Sequence, residues 1–233
     1  MYVKYLIFGK NFDQPINDWL PSVMHLQLGR FFNQSIKNSE NLSNVTDLTL
    51  NCNLMLRCPV PGTITRLTFG EHFNYTINKH MLGNITHLTF GDNFNQKIKD
   101  CIPQSVTHLT FGELFNQSIK TDINSAGNIR IGIPSSVTHL TFGNRFDQSI
   151  KAYRSTDRKI VIPAIPLSVT NLIFGDKFNQ PIKNKIPSVT HLTLGWHFNY
   201  PIEGVSMTHL MIAENYAGHI DKNIKCKIIR IKY

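Results

Sequence analysis

One short sentence is written again and again along this chain. Residues 85–98 read ITHLTFGDNFNQKI and residues 106–119 read VTHLTFGELFNQSI. Indexed by the leucine of the HLT stretch, the copies fall at Leu6, Leu26, Leu48, Leu67, Leu88, Leu109, Leu140, Leu172, Leu192 and Leu210, ten units in all. The steps between them are 20, 22, 19, 21, 21, 31, 32, 20 and 18 residues. An aromatic follows six positions later at Phe12, Phe32, Phe73, Phe94, Phe115, Phe146, Phe178 and Phe198, with Leu54 and Tyr216 in the two divergent units. An isoleucine follows four further on, from Ile16 to Ile220, with Cys58 in the third unit. A unit this short cannot hold a core alone. It must stack on its neighbours, so the repeat dictates a solenoid before any other signal is consulted.

The letters within one unit say how a coil is built. In VTHLTFG the leucine and the following phenylalanine sit two apart among β-branched residues, the pattern of a short strand with one buried face. Histidine and threonine then point to the other face. Glycine recurs after the strand at Gly9, Gly29, Gly70, Gly91, Gly112, Gly143, Gly175 and Gly195, where the chain needs either a positive φ or close backbone approach. The core phenylalanine comes next, then a second extended piece that carries the isoleucine inward. The residue after the phenylalanine is Asn33, Asn74, Asn95, Asn116, Asn179 or Asn199, with Asp13 and Asp147 in two units. Aspartate keeps the acceptor oxygen and loses the amide donor, so the shared requirement is an acceptor for a turn N–H, as in Asx-turns, and stacked coils make these a ladder that satisfies buried backbone. A proline-serine segment leads into the next strand and blocks helix propagation. No stretch carries a helical period. The predicted fold is mainly β: a right-handed parallel solenoid of about ten leucine-rich-repeat-like coils with no long helices.

The strings NFDQPI, KFNQPI and HFNYPI, at 11–16, 177–182 and 197–202, carry a resemblance to the FNIP repeat family. It spans Leu6 to about Ile220, and units three and ten depart from the pattern. That resemblance implies a leucine-rich-repeat-like solenoid. It also implies kinship with proteins found chiefly in social amoebae and in giant viruses that infect them, many of which carry an F-box and recruit targets to a ubiquitin ligase. The first unit begins by Leu6, so no F-box is expected ahead of it. The domain reading is one solenoid over 1–233, with insertions at 121–133 and 152–165 and a closing strand over 221–233.

Composition narrows the function. Hydrophobic residues make up 41% and charged residues 17%, the balance of a folding chain. No apolar run is long enough to span a bilayer and no signal peptide opens the chain. Four cysteines, at 52, 58, 101 and 226, match neither a disulfide framework nor a zinc spacing, which points to a reducing, intracellular and cytoplasmic location, in the host cell if the protein is viral. The motifs of serine hydrolases, P-loop proteins, zincins and dinucleotide-binding proteins are missing from the sequence, so no enzyme activity and no cofactor are expected.

Three surface features stand outside the core. A histidine column, with His87, His108 and His139 on consecutive strands, lines the outer face of the sheet beside a threonine column; a straight column diverges from any one point, so a partner surface is expected there and not a metal site. A lysine column, Lys37, Lys99, Lys120, Lys151 and Lys183, follows the isoleucines. With a net charge of +9 it offers an alternative reading as a nucleic-acid or polyanion edge, although no nucleic-acid-binding motif accompanies it. The third feature is the pair of insertions, whose apolar runs NIRIGI and KIVIPAI are expected to pair as one small projecting sheet decorated by Arg130, Tyr153, Arg154, Arg158 and Lys159. Arginine and tyrosine are enriched at interface hot spots. The expected function is a non-enzymatic protein–protein interaction scaffold. Its partner would be a host or viral protein, with nucleic acid disfavoured, no membrane, and end-to-end self-association through the apolar first coil.

Overall fold

The computed structural model describes residues 3–16, 20, 22–36, 42–53, 56, 59–155 and 159–232. Lys37, Leu54, Cys58 and Arg158, named above, lie outside the described residues. Fifteen strands follow in chain order: β1 (Tyr5–Ile7), β2 (His25–Leu28), β3 (Asp47–Leu50), β4 (Arg66–Phe69), β5 (His87–Thr89), β6 (His108–Thr110), β7 (Asp122–Ile123), β8 (Ile129–Arg130), β9 (His139–Thr141), β10 (Tyr153–Arg154), β11 (Val161–Ile162), β12 (Asn171–Ile173), β13 (His191–Leu194), β14 (His209–Ala213) and β15 (Lys227–Ile231). The helical content among the described residues is a single 3-10 turn, Lys79–Met81.

Eleven of these strands form one parallel sheet in the order β1-β2-β3-β4-β5-β6-β9-β12-β13-β14-β15. The chain is therefore a parallel β-solenoid of about eleven turns. Its register follows the repeat. Leu88 faces Leu109, Leu109 faces Leu140, and Leu140 faces Leu172. A slip of one residue would turn every such leucine to solvent, so burial fixes the register. The eleventh strand, β15, places Ile228 opposite Leu210, adding one turn beyond the ten that the leucine index counts.

The core is two columns of phenylalanine rings flanked by aliphatic columns. Phe90, Phe111, Phe142 and Phe174 come from the strands, and Phe94, Phe115, Phe146 and Phe178 from the turns after them; all are essentially buried. Within a coil the two rings stack at 3.9 Å between centroids, as in Phe90–Phe94 and Phe111–Phe115. Between coils, Phe94 and Phe115 stack at 6.0 Å. Val106, Val137 and Val169 and the inward Ile98, Ile119 and Ile150 close the remaining sides. Fully burying one such side chain stabilises by about 1.5–3 kcal/mol, and each coil supplies several.

The glycine after the strand serves close approach. A methyl group on Gly112 would lie 2.4 Å from the carbonyl carbon of Gly91, and one on Gly143 would lie 2.1 Å from the oxygen of Gly112. None of these column glycines has a positive φ; that conformation belongs to Gly83, Gly127 and Gly204. Turns close the coil at the glycine (Phe94 N–H to Gly91 O, 3.2 Å) and at the proline (Val106 N–H to Pro103 O, 3.2 Å).

Two expectations are corrected here. The insertions do not pair with each other: β7 and β8 form one antiparallel hairpin, and β10 and β11 form a second. Each insertion supplies both of its own strands, and a local pairing closes a shorter loop than a pairing between coils. The asparagine is not a local turn acceptor either. Its oxygen accepts the backbone N–H of the same position in the next coil, at 2.9 Å for Asn74 to Asn95 and 3.0 Å for Asn95 to Asn116. The ladder lies at the partly exposed surface, between coils.

Candidate functional site

Each strand opens on the outer face with the residue before the index leucine, and that column holds most of the histidines. The rings of His87 and His108, and of His108 and His139, stack at 4.1 Å between centroids and 12° between planes. His191 and His209 stack at 4.5 Å, and Tyr5 covers His25 at 4.2 Å. The stacking follows from the register, because parallel strands place equivalent side chains about 4.8 Å apart.

The threonine before each histidine fixes the ring. Thr107 Oγ1 lies 3.2 Å from Thr86 O and 2.9 Å from His108 Nδ1; Thr138 repeats this with Thr107 O at 3.2 Å and His139 Nδ1 at 2.9 Å. A hydroxyl has one proton. Donated to the carbonyl, it leaves the imidazole Nδ1–H as donor to the hydroxyl. In that arrangement the ring carries its proton on Nδ1 and leaves the Nε2 lone pair as an acceptor. Burial lowers the pKa of His87, with Arg66 adding to the effect and Asp47 opposing it. Burial lowers that of His108 as well, helped by His87 and His139 on either side. The middle of the row is a neutral acceptor strip near neutral pH. Its rings lie parallel and do not converge, and no group of three or more metal-ligating side chains is found among the described residues.

Towards the first coils the same face becomes charged. Asp47 accepts from Thr46 Oγ1 at 2.7 Å and lies 3.5 Å from His25 and 3.6 Å from Arg66. Tyr5, Gln27, Thr49 and Thr68 complete this shallow depression.

The insertion residues lie on other surfaces. Arg130 grips Asp122 through two bonds of 2.9 and 3.0 Å, and Lys99 bonds the same carboxylate. Lys99 and then Arg130 hold the Asp122 pKa below the ordinary carboxylate value. Asp100 joins this clasp: its Oδ1 accepts Ile131 N–H at 3.1 Å, and its own N–H donates to Ile131 O at 2.9 Å. Arg130 is therefore engaged across the strands of the first hairpin, while Lys99 and Asp100 tie that hairpin to the coil of Leu88. In the second hairpin Tyr153 is half-buried, and Arg154 and Lys159 are exposed. The histidine row and the hairpin residues are not gathered into one site.

The lysine column is also broken up. Lys99 is paired with Asp122, and Lys183 with Glu203 at 3.0 Å. Three features escaped the sequence reading. Asp122 carried no repeat signal because it belongs to an insertion. Lys185 sits two residues past the column. The serines before the core valine form their own ladder, Ser136 Oγ to Val106 O at 2.7 Å and Ser168 Oγ to Val137 O at 2.6 Å. The P-x-S-V spelling carried that last signal.

Geometry of this kind, a parallel sheet closed by turns with one coil per repeat, defines a leucine-rich-repeat-like solenoid. The solved crystal structure of CroV588, from a giant virus and described as a novel circular LRR protein structure, is similar to it, with a TM-score of 0.72 and 37% identity. The match covers 96% of this chain and 32% of that one, so this chain spans about a third of the length of its relative. No curated protein matches. The FNIP repeat pattern matches residues 1–31, 83–114, 94–125, 128–163 and 157–188, more than half of the chain. The chain belongs to the FNIP repeat family.

Proposed function

We propose that this protein is a non-enzymatic scaffold that holds another protein on surfaces displayed by the solenoid. The observation that supports this most is the contrast between core and insertions. The sheet runs from β6 to β9 to β12 with unbroken register, while the chain between them leaves the coil to build a hairpin each time. Material that the core does not need is ordered beside it, where binding residues concentrate. His87, His108 and His139 offer a second contact strip, and Arg154 and Lys159 are exposed on the second hairpin, with Arg130 engaged by Asp122 within the first. The protein works in a reducing compartment of the cell, in keeping with the unpaired Cys52, Cys101 and Cys226. A narrower form of the reading, capture of targets for a ubiquitin ligase, is supported by family membership alone.

The test is a crosslinking pull-down with the full chain and with a variant in which 121–133 and 152–165 are replaced by linkers of ordinary unit length. A reproducible partner lost from the shortened but folded variant is the expected result. A partner retained there moves the contact to the histidine face, and no reproducible partner overturns the reading.

A further inference from the structure

The two hairpins meet the solenoid in different electrostatic states. At the first, Asp122 neutralises Lys99 and Arg130 and closes the contact. At the second, a groove of about 650 Å³ stays open between the hairpin and the turn after Ile182. Lys151, Arg154, Lys183 and Lys185 line it, and no carboxylate does among the described residues. Among the described residues Glu203 pairs with Lys183. The turn is shaped by Asn184, whose φ of 56° is the left-handed conformation that asparagine tolerates. Lys185 is then pinned, its Nζ donating to Pro181 O at 2.6 Å. The Lys185 pKa is lowered by burial and further by the charges of Lys151 and Lys120.

The walls are aliphatic. Val161 is 47% and Leu167 61% exposed, both large for apolar side chains, and Pro163 and Pro187 extend the surface. No aromatic ring lines the groove among the described residues, so the stacking platform that single-stranded nucleic acid uses is missing there. Cations around an aliphatic floor complement carboxylates around an aliphatic side chain.

We propose that this groove binds an acidic peptide segment of a partner protein, with one aliphatic side chain seated on Val161 and Leu167 and its carboxylates on Lys151, Arg154 and Lys185. The proposal rests on the scaffold reading and supplies the chemistry of its partner.

The probe is a fluorescent peptide library with Asp or Glu at alternate positions and Leu, Ile, Val or Ala between them. A Gln/Asn library of the same design and poly(U) are run beside it. Acidic members with Leu, Ile or Val should be selected, and raised NaCl should weaken them. Lys151→Glu with Lys185→Glu should weaken binding by about ten-fold or more, whereas Lys10→Glu with Lys177→Glu, an equal change in charge elsewhere, should not. Lys151→Gln with Lys185→Gln replaces the first pair if it does not fold. Leu167→Ser should remove the preference for Leu over Ala. Selection of no acidic peptide, equal loss in the control pair, or binding of poly(U) in place of the peptides overturns the proposal. If the full chain captures a partner that the Lys151→Glu, Lys185→Glu variant retains, this groove is wrong and the scaffold stands. If the full chain captures none, the scaffold reading itself has failed.

Discussion

Asn74, Asn95 and Asn116, which follow core phenylalanines, each satisfy two donors with one oxygen. Asn116 Oδ1 accepts the backbone N–H of Asp147 and the side-chain amide of Gln148, both at 3.0 Å. Asp147 Oδ1 does the same for Asn179 and Gln180, both at 2.9 Å, which is why aspartate can stand in the column. The expected outcome is that Asn116→Asp leaves stability nearly unchanged while Asn116→Ala, which strands both donors, costs about 1–2 kcal/mol in urea unfolding. The histidine row makes a second residue-scale case. Imidazole has an ordinary pKa of 6.5, and the folded values of His87 and His108 lie below it. The unfolded chain then binds protons more readily than the folded one as pH falls. The stability these groups contribute is complete above the ordinary value and is lost as pH falls through it and through the lower folded values. Thermal unfolding of the protein followed from about pH 7 to 5 should therefore decline more steeply than in a His87→Gln, His108→Gln variant. Parallel slopes would mean that the stacked rings do not resist protonation.

At the scale of one element, the strand and its glycine were legible because each obeys a local rule. Alternation named the buried leucine and phenylalanine, and the glycine column named a tight place. Which kind of tightness required the neighbouring coil, and so did the true partner of the asparagine. Both contacts join positions one unit apart, and a single unit read alone shows neither. The hairpins were half legible. Their apolar runs announced strands, but Asp122, which clasps the first of them, reads as one more loop acid until it is seen beside Lys99 and Arg130. Lys185 went unread for the same reason, since its meaning depends on an insertion arising from the preceding coil. Close approach also makes the glycines unequal. Gly112→Ala drives a methyl group into the backbone of Gly91, which cannot swing aside, whereas Gly9→Ala meets nothing within 4 Å. Gly112→Ala should cost about 1–3 kcal/mol or more and Gly9→Ala well under 1 in the same unfolding assay. Equal effects would show that the coils are free to separate at the turn.

Over the whole molecule, stability is carried in one dimension. Every coil touches the one before and the one after, so a coil in the middle supports two interfaces and a coil at an end supports one. Phe94 illustrates the first case. It is fully buried and stacks on Phe73 and Phe115 at 6.0 Å, as well as on Phe90 at 3.9 Å. Phe12 illustrates the second: it is only partly buried, on a coil whose strand leaves Tyr5 68% and Ile7 69% exposed. Truncating a buried phenylalanine costs about 3–5 kcal/mol through lost transfer energy and the cavity left behind. In a stack, a loss of that size in the middle also uncouples the coils on either side. Phe94→Ala should therefore lower the cooperativity of urea unfolding, seen as a reduced slope or a second transition, as well as its midpoint. Phe12→Ala should shift only the fraying of the first coil, seen as faster amide exchange over residues 3–12 with the main transition in place. If the two variants unfold alike, with the same midpoint and slope, the coils behave as one cooperative block and coupling between nearest neighbours is not what governs this solenoid.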